Sequence, residues 1–87
     1  MNDQHILLVE DDESLQQLIE KLLKNNNYIV SKANNIDEAQ KLVKLFIFDL
    51  IILDVMLPDS TGLEFYKNSI KDRINTPVIF LSALSDV

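Results

Sequence analysis

Three apolar runs in this sequence end in groups that can do chemistry. Ile6-Leu7-Leu8-Val9 runs into Glu10-Asp11-Asp12-Glu13, Leu50-Ile51-Ile52-Leu53 closes on Asp54, and Pro77-Val78-Ile79-Phe80-Leu81 runs into Ser82. No helix dipole or cap accounts for an acid that closes an isoleucine- and leucine-rich strand. If the first and third runs are neighbouring strands, they lie about 4.8 Å apart. Glu10, Asp11 and Asp54 then crowd into one crevice. Two like charges about 4 Å apart repel by about 4 kcal/mol at an effective dielectric of about 20. A hard divalent cation resolves that crowding, and Mg²⁺ takes one or two carboxylates together with waters and phosphate oxygens.

A carboxylate beside Mg²⁺ suits phosphoryl transfer to the carboxylate itself. An aspartate is already ionised at neutral pH and needs no general base. Its attack on phosphorus gives an aspartyl phosphate. A hydroxyl at a neighbouring strand end, as Ser82 offers, could then hydrogen-bond a phosphoryl oxygen. Every residue but Asp54 also has an ordinary explanation. Asp12 and Glu13 read as capping and dipole compensation at a helix start. Taken alone, Glu10-Asp11 fits capping and metal ligation equally well. Asp49 opens the third run at the opposite end of the sheet, without acidic company, and reads as a turn residue. Asp54 has no such explanation.

The elements that must position these groups follow from periodicity. The stretch from Phe48 to Pro58 holds a strand buried on both faces, as in a parallel sheet covered by helices. Leu15, Leu18, Ile19, Leu22 and Leu23 fall at the spacing of one helix face. Asp12 or Ser14 caps that helix, and Asn25-Asn26-Asn27 stops it. Tyr28 to Ala33 reads as an edge strand. Asn35 with Glu38 resembles a capping box for a helix whose face is Ala39, Leu42, Val43 and Phe46. Thr61 with Glu64 signals a third helix with the stripe Leu63, Tyr66 and Ile70. Strand and helix alternate three times before a final strand, which argues a three-layer α/β fold with a parallel sheet and right-handed crossovers.

Composition bounds the function. A chain of 87 residues is one small domain, and 47% hydrophobic residues suffice for a core. The net charge of −6 argues against a nucleic-acid surface. There is no cysteine, which excludes disulfides, zinc-thiolate sites and cysteine nucleophiles and agrees with a cytoplasmic location. The single glycine, Gly62, rules out a P-loop and a dinucleotide fingerprint. No run is long enough to span a membrane, and the first residues do not form a signal peptide. The only histidine, His5, reads as a solvated terminal residue.

These motifs are similar to those of the receiver domain of two-component response regulators. The resemblance rests on Ile6 to Asp12, on Asp49 to Pro58 with Gly62, and on Pro77 to Ala83. It implies a flavodoxin-like sheet in the order 2-1-3-4, with the ligand crevice between the first and third strands. It also implies that Asp54 is the phosphoacceptor. Glu10, Asp11, Asp54 and the Met56 carbonyl would hold Mg²⁺, with Asp11 a direct ligand. Ser82 would be the switch hydroxyl, and Pro58 and Gly62 would shape the adjoining loop. The implied partner is a histidine kinase or phosphotransfer protein, and the output is an effector, here of the transcription-regulating kind, outside this segment.

Receivers continue with a helix, a strand bearing a lysine and an aromatic switch residue, and a last helix. Those elements have no counterpart among residues 1–87, and Lys67, Lys71 and Arg73 belong to the third helix or the turn after it. The expectation is an incomplete receiver domain whose fourth strand has a bare edge suited to self-association, so that the chain in solution is oligomeric or partly unfolded. Beyond its own phosphorylation and dephosphorylation, no enzyme activity is expected. Two other readings stand beside this one. A receiver-like interaction module would bind its partner without phosphorylation. A haloacid-dehalogenase-type phosphatase would want a second acid two residues after Asp54, where the sequence has Met56.

Overall fold

A computed structural model describes residues 3–55, 57, 62–67 and 76–81. The elements are β1 (His5–Val9), α1 (Glu13–Asn25), β2 (Ile29–Ala33), α2 (Ile36–Leu45), β3 (Leu50–Asp54), α3 (Gly62–Phe65) and β4 (Val78–Leu81). All pairings are parallel, as the alternation of strand and helix predicts, and the strand order is β2-β1-β3-β4, as the resemblance implies. Register sets Val9 beside Leu53, and Asp54 beside Leu81.

Side chains alternate across the two faces of the central strands. Leu7, Val9, Ile51 and Leu53 join Ala33, Ile36, Ala39, Phe48 and Phe65 in one core, on the side of α2 and α3. Ile6, Leu8 and Ile52 face the other way, where Ile19 and Leu23 of α1 pack against them. The sheet is therefore the middle of three layers.

The local signals at the helix ends are satisfied as expected, with one change of partner. Asp12 caps α1 by accepting from Leu15 N at 3.1 Å. Asn26 caps its end, and Asn27 turns the chain away with φ at 71°, a conformation that asparagine tolerates better than most residues. Asn35 Oδ1 accepts from Glu38 N at 2.9 Å, but Glu38 Oε1 accepts from Asn34 N rather than closing the box on Asn35.

Two expectations are corrected. The leucine stripe of α1 does not enter the core as a whole. Leu18 and Leu22 are 65% and 61% exposed, while the residues turned inward are Gln16, Ile19 and Leu23. The stripe is wider than the surface that the described strands offer, so the sheet selects its inner half. His5 is also not a solvated terminal residue. It opens β1, its ring lies 4.6 Å from that of Phe48 and 5.7 Å from that of Phe46, and Nε2 is 2.7 Å from Ser31 Oγ. Its backbone N–H donates to Asp49 Oδ2 at 2.8 Å, so Asp49 ties the start of β3 to the start of β1.

In α3 Phe65 is buried, and it lies outside the expected stripe. Tyr66 packs on the same core and meets the Phe80 ring edge-on at 5.6 Å. Thr61 and Ile70 lie outside the described residues. Among the described residues β4 is an edge strand, with Ile79 and Phe80 exposed.

Candidate functional site

The site is built where β1 and β3 end side by side. Val9 and Leu53 are paired neighbours, so the residues following them leave the sheet at the same rim. The chain turns after Val9 to enter α1, and the turn is held by its own acids. Glu10 N donates to Ala33 O at 3.0 Å, Glu10 Oε2 accepts from Asp12 N at 3.0 Å, and Asp12 in turn caps the helix. Asp54 keeps its place as the last residue of β3 because Val55 N continues the ladder to Leu81 O at 3.1 Å.

The three carboxylates implicated by sequence come together. Glu10, Asp11 and Asp54 each offer an oxygen, and these oxygens lie within 4.8 Å of one another. Glu10 is buried, Asp54 half-buried and Asp11 exposed, so the cluster opens to solvent on one side. Confinement raises the pKa of Glu10 from an ordinary 4.5 to about 7. Burial is the main cause. The negative charge of Asp54, a hydrogen bond with its side chain and the charge of Asp11 add to it, while the N–H of Asp12 pulls the other way. Part of the repulsion among the acids is thus relieved by a proton on Glu10.

The donor set fits a hard divalent cation. Three carboxylates supply only oxygen donors, no thiol or imidazole is among them, and the excess negative charge is what Mg²⁺ would neutralise. Of the other residues implicated by sequence, Gly62 opens α3, while Met56, Pro58 and Ser82 lie outside the described residues.

Sequence reasoning missed Gln16 and Asn34. Gln16 is 4% exposed, and its Nε2 donates to Glu10 O at 2.8 Å and to Asn34 Oδ1 at 3.0 Å. The available signal was spacing. Gln16, Ile19 and Leu23 share one helical stripe, which makes Gln16 a polar residue in a core-facing position.

Residues 6–87 match the family model described as the response regulator receiver domain. The chain belongs to this family. Among curated relatives, the cell cycle transcriptional regulator CtrA of Caulobacter vibrioides is 37% identical over 82 residues, covering 94% of this chain and 36% of the relative. The cell cycle response regulator CtrA of Brucella ovis is 34% identical over 82 residues, covering 94% of this chain and 35% of the relative. The chain therefore spans about a third of the length of these relatives.

Solved receivers have the same fold. The non-phosphorylated HemR receiver domain from Leptospira biflexa is 38% identical with a TM-score of 0.84, covering 93% of this chain and 65% of that one. The response regulator TrrA from Thermotoga maritima, solved in complex with Mg²⁺–BeF, is 31% identical with a TM-score of 0.86, covering 95% of this chain and 72% of that one. The receiver has a flavodoxin-like sheet, and membership in the family places it in two-component signalling. No helix among the described residues is long and apolar enough to cross a membrane.

Proposed function

We propose that this receiver accepts a phosphoryl group on Asp54 from a histidine kinase or phosphotransfer protein, in the presence of Mg²⁺. The observation that carries this reading is the convergence of Glu10, Asp11 and Asp54 at the ends of two adjacent strands. Glu10, Asp11, Asp54 and the Met56 carbonyl are the groups that would hold the cation. When bound, Mg²⁺ neutralises charge on the phosphoryl oxygens and keeps donor and acceptor aligned.

The protein's own part is positional. Pairing with β4 fixes the main chain at Asp54, so a carboxylate oxygen is held at the rim of the crevice. That oxygen forms the new bond to phosphorus as the donor's bond to phosphorus breaks, and the released donor group takes up a proton from solvent. Glu10 must lose its proton before all three acids can serve as ligands, which couples cation entry to proton release. Ser82 is the hydroxyl proposed to hydrogen-bond the phosphoryl group, and Pro58 and Gly62 shape the loop beside it. The proposed output is transcription regulation, in line with the similarity to CtrA, a cell cycle transcriptional regulator. Membership in the family supports a cytoplasmic setting.

Mass spectrometry of the intact protein after incubation with acetyl phosphate and Mg²⁺ tests the reading. One phosphoryl group is expected on the wild type and none on Asp54→Asn. Equal gain by both, or gain by neither, sinks it. Partner binding that ignores both the phosphodonor and Asp54→Asn would favour an interaction module instead.

A further inference from the structure

We propose that Gln16 is the positioning residue of this acidic site. Its side-chain amide, clamped between the Glu10 carbonyl and the Asn34 side chain, sets where the end of β1 stands relative to Asp54. The proposal rests on reading Glu10, Asp11 and Asp54 as ligands of a divalent cation.

The argument begins with the main chain. The paired part of β1 ends at Val9, and Glu10 N makes one last bond to Ala33 O at 3.0 Å. The Glu10 carbonyl is satisfied from α1 instead, by Gln16 Nε2 at 2.8 Å. The same nitrogen reaches Asn34 Oδ1 at 3.0 Å and lies 3.5 Å from Ala33 O. One buried amide thus joins the ends of β1 and β2 and the loop leading to α2. Asn34 continues the chain of contacts, since its N–H donates to Glu38 Oε1 in the first turn of α2.

Charge explains why such a brace is needed. Once all three are ionised, as ligation requires, carboxylates with oxygens within 4.8 Å of one another push the loop of Glu10 and Asp11 away from Asp54. Nothing in the pairing of β1 opposes that motion past Glu10. Gln16 opposes it, and because an amide is neutral it does so without cancelling the negative potential that attracts a cation. Mg²⁺ demands near-ideal octahedral geometry at about 2.0–2.1 Å. A displacement of Glu10 and Asp11 that a sheet would tolerate is therefore felt directly as lost affinity.

The test compares wild type with Gln16→Leu in the full chain, measuring Mg²⁺ affinity by calorimetry and thermal stability in EDTA. Gln16→Leu is expected to weaken Mg²⁺ binding roughly tenfold or more, as supporting groups of metal ligands commonly do. Phosphoryl gain from acetyl phosphate should return at saturating Mg²⁺. Phe48→Leu, a buried substitution at the other end of the sheet, should lower the melting temperature and leave Mg²⁺ affinity unchanged. The amide signals of Asn34 and Glu38 should shift with Mg²⁺ in the wild type and not in Gln16→Leu. If Gln16→Leu fails to fold, Asn34→Ala decides, because Asn34 is exposed and its loss frees one end of the clamp. It should weaken Mg²⁺ binding in the same direction by less. Unchanged Mg²⁺ affinity in the variant that decides overturns the role of Gln16 alone. A wild type that binds no Mg²⁺ overturns the reading of the site and the proposal with it.

Discussion

Glu10 and Asp54 stand next to each other because Val9 and Leu53, the residues before them, are paired across β1 and β3. Their carboxylates share a hydrogen bond, and the pKa of Glu10 rises to about 7. At Glu10 the proposed cation and the proton would therefore compete.

That competition sets a pH dependence. Glu10 holds its proton up to about 7 in the folded protein, against 4.5 for an ordinary glutamate. The folded state therefore binds more protons in that window. Its stabilising contribution is complete below about 4.5 and is lost as pH rises through 7. Without metal, the difference in melting temperature between wild type and Glu10→Gln should shift against the wild type from about pH 5 to about pH 8. Saturating Mg²⁺ should reverse the trend, because it favours the ionised carboxylate. Thermal melts in EDTA and in Mg²⁺ check both arms, and a pH-independent difference in EDTA would refute the protonation.

Asp54→Asn removes one of the three charges while keeping the shape. In EDTA the variant should be at least as stable as the wild type, and the pKa of Glu10 should move back toward the usual carboxylate range, since Asp54 is a cause of its rise. Carbon-detected NMR titration of the Glu10 carboxyl reads this directly. A Glu10 pKa that stays near 7 would remove Asp54 from the causes of the shift.

Asp12 caps α1 through Leu15 N and also gives its own N–H to Glu10 Oε2. Asp12→Ala removes the cap and leaves that N–H in place. We expect a loss of about 0.5–2 kcal/mol of stability, with little change in Mg²⁺ affinity. Urea unfolding beside a calorimetric titration separates the two.

The orientation of α1 can be tested by substitution along the helix. Leu18→Ser and Leu22→Ser, on the exposed side, should each change stability by no more than about 0.5 kcal/mol. Ile19→Ala and Leu23→Ala should cost about 2 kcal/mol or more, because both side chains pack on Ile6, Leu8 and Ile52. Similar losses on both sides would mean that the helix is rotated from the position described.

The bridge from Glu20 to Lys24 and Lys32, at 2.9 and 3.1 Å, holds the pKa of Glu20 below the usual value, through its hydrogen bonds with Lys24 and then Lys32. It joins α1 to β2 across a surface, so Glu20→Gln should cost less than about 1 kcal/mol and the cost should shrink in high salt. For a lowered pKa the stabilisation is present above the ordinary glutamate value and is lost as pH falls below it. Unfolding curves at low and high ionic strength check the size.

Much of the receiver was legible in the chain. Element order followed from the switch between apolar runs and helical spacing, and Asp12 and Asn35 announced their caps by position. The acids that meet were visible because they end strands that nothing else explains. His5 was misread because it precedes an apolar run, and only the arrival of Phe46, Phe48 and Ser31 from distant segments gives its ring a place.

What the sequence by itself determined was local: which segments extend, which coil, where each stops, and which strands end in a carboxylate. Backbone geometry and side-chain period settle these within a few residues. Only the tertiary structure decided that α1 turns Gln16 inward and Leu18 outward, and that Glu10 keeps a proton toward neutral pH. Those outcomes depend on groups brought together from far along the chain. Neighbouring residues cannot encode a helix's buried side or the field at a carboxylate.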